Sequence, residues 1–272
     1  EVCQQLWNSW DEDAVVMDRQ NAIFSDPSKV RRIEYEGRFY SSRGPLNVVR
    51  SPQNGPALIQ AGTSPKGMDL AAKYADAVFA INPLAETSAV YYADLKERVA
   101  AHGRNPDHCA VLFGAQPIIG GSEAEALEKQ DEHNNLVPIE GGMALLSGHL
   151  NFDLSNLPPD AKMMDRTEPE LQRSRRVYLK DDGESRTLEE VAQRHGESVG
   201  LPQFVGTPES VADQLEAFFD EVGGDGFMIS PIYCPGAIEE FVDLVVPELQ
   251  RRGRFRTAYT GTTQRDHLRQ TD

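Results

Sequence analysis

Residues 57–79, ALIQAGTSPKGMDLAAKYADAVF, decide the fold. Two runs, at 57–61 and 77–81, are almost continuously apolar or small, as expected of parallel strands that are covered on both faces. Between them, from Met68 to Ala75, apolar residues recur at three- and four-residue spacing, which predicts a helix. Ser64 followed by Pro65 is a typical helix start. The stretch therefore predicts a strand, a helix and a second strand in succession.

The same alternation returns along the rest of the chain. It predicts strands at 109–116 and 226–230, and helices at 85–102, from Ser122 onward, at 211–222 and at 237–252. This order is typical of an α/β protein. Four strand–helix units are visible, whereas a complete (β/α)₈ barrel needs eight of them in about 250 residues.

Two irregular regions hold the remaining length. Residues 11–55 are rich in turn formers, and residues 120–203 are polar and include LPPD at 157–160. Loops this long are usually functional lids, oligomer contacts or disordered segments. We expect residues 1–272 to form one partial domain, with an irregular insertion at 11–55 and a long polar insertion at 120–203 as a candidate lid. The helix-like run at 1–10 suggests that the chain starts within a fold.

The charge balance argues against two classes of partner. Asp and Glu number 43 against 27 Lys and Arg, and the net charge of -16 repels a phosphate backbone or an anionic membrane surface. The longest apolar runs, such as 241–246, are far shorter than the roughly 20 residues of a membrane helix. We therefore expect a cytoplasmic protein without nucleic acid or membrane as a partner.

The positions of cysteine and histidine favour neither a disulfide framework nor a metal site. Cys3, Cys109 and Cys234 are far apart and none lies in a Cys-x-x-Cys pair, so we expect buried free thiols. The six histidines are scattered, and none pairs with Glu or another His at a metal-binding spacing.

The bend at Ala61-Gly62-Thr63-Ser64 is the clearest candidate for a binding site. Gly62 allows close approach of a ligand to the backbone, and the N–H groups and dipole at the start of the following helix favour an anion. Ser64 can donate its hydroxyl to a phosphate oxygen. The alternative is that Ser64 only caps its own helix, and spacing alone favours this second interpretation.

The same bend resembles a family signature. Gln60-Ala61-Gly62-Thr63-Ser64-x-x-Gly67, followed by Ala71-Ala72-x-x-Ala75-Asp76-Ala77-Val78-Phe79, is similar to the QAGxSxxG…AAxxAxxVF pattern of the bacterial-luciferase-like flavin-dependent monooxygenases, in the nitrilotriacetate, dibenzothiophene-sulfone and pristinamycin monooxygenase group. Further similar stretches follow in the expected order: LWNSW at 6–10, GRFY at 37–40, RGPL at 43–46, VGTPE at 205–209, and 241–253 with 257–265 beyond. Together they span nearly the whole chain.

The resemblance implies a TIM-barrel enzyme, of which this chain carries the C-terminal half. It implies that reduced FMN, supplied by a separate NAD(P)H-dependent flavin reductase, reacts with O₂ to oxygenate a small organic substrate in a homo-oligomeric protein. In the family the serine of the motif contacts the FMN phosphate, which makes Ser64, Thr63, Gly62 and Ala61 the predicted cofactor-binding residues. No catalytic residue is assigned, because the chemistry belongs to the cofactor.

The chain departs from the family pattern in three respects. Tyr35 stands where relatives often carry His, and Met228 stands where Asn is common, so both positions are expected to alter substrate contacts. Family members also begin well upstream, in a part that holds the first four barrel strands together with a His and a Tyr that contact the flavin.

Other candidates carry simpler interpretations. Asp225 faces the barrel mouth or forms a plain turn beside Gly223-Gly224, and the turn is favoured. Trp7 and Trp10 share a helical face and are expected in the core. The basic run at 251–256 is explained by cations at a helix C-terminus. Residues 168–197 form a solvated helical face or a lid over the flavin.

Two alternative functions stay open. One is a luciferase-like oxidoreductase that uses deazaflavin or FMN without oxygenation, since one scaffold supports several reactions. The other is an inactive half-barrel.

Overall fold

The computed structural model describes residues 1–62, 64–82, 84–172, 178–180 and 182–269. The strands are β1 Val15–Asp18, β2 Ile23–Ser25, β3 Tyr35–Glu36, β4 Ser41–Ser42, β5 Ile59–Ala61, β6 Ala77–Ala80, β7 Ala110–Ile119, β8 Gln203–Gly206 and β9 Gly226–Ile229. The helices are α1 Val2–Trp7, α2 Pro65–Tyr74, α3 Ala85–Ala101, α4 Glu123–Asn135, α5 Ile139–Leu150, α6 Pro169–Gln172, α7 Leu188–Ser198, α8 Pro208–Val222, α9 Gly236–Glu240, α10 Val246–Arg251 and α11 Gln264–Arg269.

A five-stranded parallel sheet of β5 to β9 organises the chain. β5 pairs with β6, and β6 pairs with the first residues of β7. β7 is ten residues long and has two further partners: β9 pairs with Leu112 to Ala115 and β8 pairs with Gln116 to Ile119. The predicted α/β class is confirmed, and within the described residues the sheet is not closed into a barrel.

The four predicted strands are all present in the parallel sheet, and one strand of that sheet, β8, was missed. β8 has only four residues and begins with a polar Gln203, so its pattern is too short to stand out from the surrounding insertion. β7 also runs three residues beyond the predicted end at 116, because the added strand β8 continues its ladder.

Helices α2, α3 and α8 cover the outer face of the sheet. Their buried residues meet alternate strand residues in two apolar clusters, one centred on Val78, Leu95 and Phe113 and the other on Phe204 and Leu215. The predicted helix at 237–252 is divided in the structure by a π-helical segment, Phe241–Val245, between α9 and α10.

The region between β7 and β8 contains a third apolar cluster of its own, built around Leu154, Met163 and Leu188. Its helices α5 and α7 approach closely because a glycine lies at their contact. A Cβ on Gly142 would lie 2.2 Å from the carbonyl oxygen of Ala192, a distance that no side chain can tolerate. Residues 11–55 contain two small antiparallel hairpins, β1–β2 and β3–β4.

The expectation of buried thiols holds for one cysteine and is wrong for two. Cys109 is buried under the sheet, and its burial raises the pKa of the thiol. Cys3 and Cys234 are exposed because each lies at a surface segment, the first turn of α1 and the loop after β9.

Two features are absent from the described residues. No helix there is long and apolar enough to span a bilayer. No group of three or more His, Cys, Asp or Glu side chains in the same residues is arranged to hold a metal ion.

Candidate functional site

The bend that joins β5 to α2 lies at the carboxyl end of the parallel sheet. Gly62 has a φ of +130°, which glycine adopts without a Cβ penalty. Ser64 caps α2, since its Oγ accepts the backbone N–H of Gly67 at 3.1 Å, and Pro65 takes the first helical position. Ala61, Gly62 and Ser64 are exposed. The bend is therefore open to a ligand rather than packed beneath other side chains.

Two neighbouring side chains fix the shape of this bend. Tyr91 on α3 donates its hydroxyl to the carbonyl oxygen of Gly62 at 3.3 Å. Burial raises the pKa of Tyr91 to about 12, so the hydroxyl keeps the proton it donates. Gln60 Nε2 donates to the carbonyl oxygen of Ala61 at 2.6 Å, and a Cβ on Gly67 would lie 3.0 Å from that nitrogen. A larger residue than glycine at position 67 would crowd the Gln60 amide.

The arrangement has the chemistry of an anion site. The first N–H groups of a helix lack partners within the helix, and the dipole places partial positive charge there. Because Ser64 Oγ uses a lone pair to accept from Gly67, its own hydrogen stays available for a phosphate oxygen. Exposed Lys66 adds a cation in the same turn. Capping and phosphate binding by Ser64 are thus compatible.

Three of the four predicted cofactor-binding residues, Ala61, Gly62 and Ser64, lie together in this bend. Thr63 lies outside the described residues. The capping role of Ser64 is confirmed by its hydrogen bond, whereas its contact with a phosphate stays a prediction.

The 120–203 region reaches the same edge of the sheet. Leu201 packs against the inner face of β7, where a Cβ on Gly114 would lie 2.3 Å from Leu201 Cδ2. Gly200 lies between Ile81, which follows β6, and His195 on α7, since its Cβ position is 3.8 Å from atoms of both. Residues of the insertion therefore border the carboxyl end of the sheet.

Two histidines of this region form a hydrogen-bonded pair. His149 Nδ1 and His195 Nε2 are 2.8 Å apart, and the rings meet edge to face. Desolvation by burial, and then the nearby His149, lowers the pKa of His195. Sequence reasoning missed this pair, because the two residues are 46 positions apart. Tyr91 was also missed, and its only signal is its place in the helix that follows β6.

Several other sequence candidates lie away from this edge. Asp225 precedes β9 at the amino end of the sheet, where its Oδ2 accepts from Val111 N at 2.7 Å and pairs with Lys96 at 2.8 Å, so it does not face the mouth. Met228 pairs with Gly114 in the β7–β9 ladder and is 38% exposed, which places it beside Leu201 on the inner face. Its effect on substrate contacts stays a prediction.

The tryptophans and the basic run have structural roles. Trp10 Nε1 donates to the carbonyl oxygen of Leu46 at 2.8 Å, and Gly55 packs against the Trp7 ring. The predicted shared helical face in the core is wrong, because α1 ends at Trp7 and both tryptophans are only half-buried. Both side chains instead contact the 11–55 region. Arg252 and Arg254 both pair with Glu216 on α8. The charges of Arg252 and Arg254 are thus neutralised within the protein.

The model of the family described as luciferase-like monooxygenase matches residues 1–226 of the chain. The chain belongs to this family. Dibenzothiophene-sulfone monooxygenase of Rhodococcus erythropolis is 42% identical over 274 residues, which cover 98% of this chain and 60% of that protein. Nitrilotriacetate monooxygenase component A of Aminobacter aminovorans is 37% identical over 271 residues, with coverage of 98% and 60%. The resemblance that the sequence motifs suggested is confirmed.

The fold of the luciferase-like family is confirmed by solved structures. DmoA from Hyphomicrobium sulfonivorans superposes with a TM-score of 0.89 at 31% identity, over 100% of this chain and 58% of that one. The chain spans about 60% of the length of the curated relatives that it matches.

Proposed function

We propose that this chain supplies the phosphate-binding side of a reduced-FMN site in a monooxygenase that uses O₂ to oxygenate a small organic substrate. The observation that carries the proposal is the exposed bend at Gly62 and Ser64, which presents a helix start and a free hydroxyl hydrogen at the carboxyl end of the sheet. In barrels of this kind, ligands bind at that end of the strands.

Each residue of the bend has a physical role toward the phosphate. The backbone N–H of Lys66 and the Ser64 hydroxyl donate to its oxygens, since Pro65 has no N–H and that of Gly67 is bound to Ser64 Oγ. The Lys66 ammonium offsets the charge of the phosphate. Tyr91 and Gln60 hold the backbone of the bend by hydrogen bonds. The conformational entropy lost by the bend when the phosphate binds is therefore small.

Reduced FMN, when bound, supplies the electrons that activate O₂. The protein binds and orients the cofactor and keeps the reaction away from water. We propose that the 120–203 insertion serves this last purpose as a lid, because Gly200 and Leu201 already border the inner face and the carboxyl edge of the sheet.

The partners follow from the family. One relative is named as component A of nitrilotriacetate monooxygenase, and another is named as one of the subunits of pristinamycin IIA synthase, so each name denotes one part of a larger system. We propose that an NAD(P)H-dependent flavin reductase supplies the reduced FMN, and that the protein works in the cytoplasm as a homo-oligomer.

An anaerobic titration with reduced FMN tests the phosphate site. Ser64→Ala should weaken binding by about 1–3 kcal/mol, the usual loss when a hydrogen bond to a charged group is removed. Ser64→Asp should weaken it further, because a carboxylate beside the phosphate repels it, while the helix stays capped since Asp caps as well as Ser. The pair of variants thus separates the capping role of Ser64 from its binding role.

Ser122→Ala is the matched control. Ser122 caps α4 in the same way, with its Oγ accepting from Glu125 N at 3.2 Å, but it lies at another helix. This variant should lose about 1 kcal/mol of stability and no FMN affinity. If Ser64→Asp binds reduced FMN as tightly as the unchanged protein, the phosphate assignment is wrong.

Isotope incorporation tests the reaction itself. With ¹⁸O₂ and reduced FMN, an oxygenase should transfer one labelled oxygen atom to its substrate; dibenzothiophene sulfone and nitrilotriacetate, the compounds named in two relatives, are the first to try. Oxidation of a substrate without labelled oxygen would instead favour hydride transfer.

A further inference from the structure

Side-chain amides on β7, β8 and α4 are joined by hydrogen bonds into one chain. The chain lies where β7 pairs with β8. Gln203 on β8 donates from Nε2 to Gln116 Oε1 at 2.8 Å and to Asn134 Oδ1 at 3.2 Å. Its own Oε1 accepts from Gln130 Nε2 at 2.7 Å. Gln116 is only 6% exposed, so the chain is anchored in the sheet. In this arrangement each bond joins a donor to an acceptor.

At its ends the chain of amides has one N–H donor and one oxygen acceptor that form no hydrogen bond within the described residues. Asn134 Nδ2 has no acceptor and Gln130 Oε1 has no donor among the partners found in the described residues. Neither atom is among the fully buried polar atoms that lack a partner, and both residues are half-buried. The two residues lie four positions apart on α4 and hence on one face of that helix. One helix face therefore carries both a donor and an acceptor.

Both groups line a cleft of about 510 Å³ between α4, α7 and the segment that leads into β8. This volume is in the range of small-molecule sites. Leu146, Val191 and Leu201 supply an apolar wall, while Arg194 and Glu197 carry opposite charges. His195 also lines the cleft, and the lowering of its pKa by burial keeps it uncharged at neutral pH. The lining as a whole does not select for an ion.

We propose that this cleft binds a small uncharged molecule whose edge carries a carbonyl oxygen next to an N–H, as in a lactam, a carboxamide or a urea. The carbonyl oxygen accepts from Asn134 Nδ2, and the ligand N–H donates to Gln130 Oε1. The cleft shares no lining residue with the Gly62–Ser64 bend, so it is distinct from the proposed phosphate site; Gly200 and Leu201, which line it, also belong to the proposed lid.

A titration with 2-pyrrolidone, followed by NMR of the side-chain amides without flavin present, tests the proposal. The lactam should shift the Asn134 and Gln130 amide signals in a saturable way, with a dissociation constant on the order of millimolar, as suits so small a ligand. Cyclopentanone has the same ring without the N–H and should bind about tenfold more weakly, since each 1.4 kcal/mol is tenfold and one hydrogen bond is lost.

Asn134→Asp replaces the donor by an acceptor of the same shape and still accepts from Gln203, so it should abolish the response to the lactam. Gln130→Glu retains the acceptor but loses the donor to Gln203, and it should weaken lactam binding through a loosened amide chain. Asn105→Asp is the control, because Asn105 caps the turn before β7 and is not among the residues that line the cleft. Since Asp caps as well as Asn, this variant should leave the lactam response unchanged.

Two results would overturn the assignment. One is the absence of a saturable shift at concentrations well above the millimolar range in the unchanged protein. The other is lactam binding that persists in Asn134→Asp or does not discriminate against cyclopentanone. Since no flavin is present, failure here says nothing about the phosphate site.

Discussion

The two ends of the parallel sheet are built on opposite principles. At the amino end, Asp76 and Asp225 form ion pairs with arginine and lysine side chains, and Oδ2 of each carboxylate also accepts a backbone N–H group. At the carboxyl end, Gly62 and Ser64 are exposed, and the Ser64 hydroxyl keeps a hydrogen to donate. One end satisfies its polar groups internally and the other leaves them for a ligand, which is the division expected of a barrel-type fold.

The Asp76 cluster shows how the amino end is held. Asp76 is 5% exposed, its Oδ1 lies 2.9 Å from Arg265 Nε and 3.2 Å from Arg269 Nη2, and its Oδ2 accepts from Leu58 N at 3.0 Å. Arg265 also donates to the carbonyl oxygens of Gln53 and Pro56. These bonds join helix α11 to the loop before β5 and to the start of β6, although Arg265 and Asp76 are about 190 residues apart in the sequence.

Removing the Asp76 charge should give the largest effect. Asp76→Asn leaves two partly buried guanidinium groups facing an amide, and breaking such a pair from one side costs about 3–5 kcal/mol. Urea unfolding should show this loss as a lower free energy of unfolding. Asp213→Asn, in an ion pair whose carboxylate is 70% exposed, should cost less than about 1 kcal/mol. Equal losses in the two variants would show that the Asp76 ion pairs stabilise the protein no more than an exposed ion pair does.

A methyl group at Gly62 tests the other end. With φ at +130°, Gly62→Ala is strained, and we expect a loss of about 1–2 kcal/mol of stability. Because the strain shifts the bend that Tyr91 and Gln60 hold, the affinity for reduced FMN should fall as well, whereas Asp76→Asn should retain the affinity of its folded fraction. The measurement is the same anaerobic titration. A Gly62→Ala protein with unchanged affinity would show that the bend is not the binding surface.

The sequence predicted the fold better than it predicted the site. Strand–helix periodicity located four of the five strands of the parallel sheet and the helices that cover them, because each buried face imposes its pattern locally. It missed β8 because four residues headed by a glutamine carry no such pattern. It also missed the apolar cluster around Leu154 and Met163, whose members are spread thinly through a polar segment.

For the site, local chemistry was visible and long-range chemistry was not. The Gly62–Ser64 bend could be predicted because its glycine, cap and helix start are adjacent in sequence. The Tyr91 hydrogen bond, the His149–His195 pair and the amide chain on Gln203 join residues that are 29, 46 and up to 87 positions apart. Such contacts depend on the register of strands and helices, which a single sequence does not define.

The smallest expected effect is on the pH dependence of the free energy of unfolding, through the His149–His195 pair. It tests whether the carboxyl end also contributes to stability. Burial lowers the pKa of His195 below the 6.5 of an unperturbed histidine, so between the two values the unfolded chain binds more protons than the folded one. The free energy of unfolding should therefore be constant above about pH 7 and fall as the pH drops through 6.5 toward the folded pKa, with a slope from this one group of at most about 1.4 kcal/mol per pH unit. His195→Gln cannot titrate, and urea unfolding between pH 5 and 7.5 should show a smaller loss on acidification than in the unchanged protein. If the two pH profiles run parallel, His195 is not held uncharged, and the argument for a neutral lining of the adjacent cleft fails. If they diverge, protonation of His195, which lines that cleft, lowers the stability of the protein.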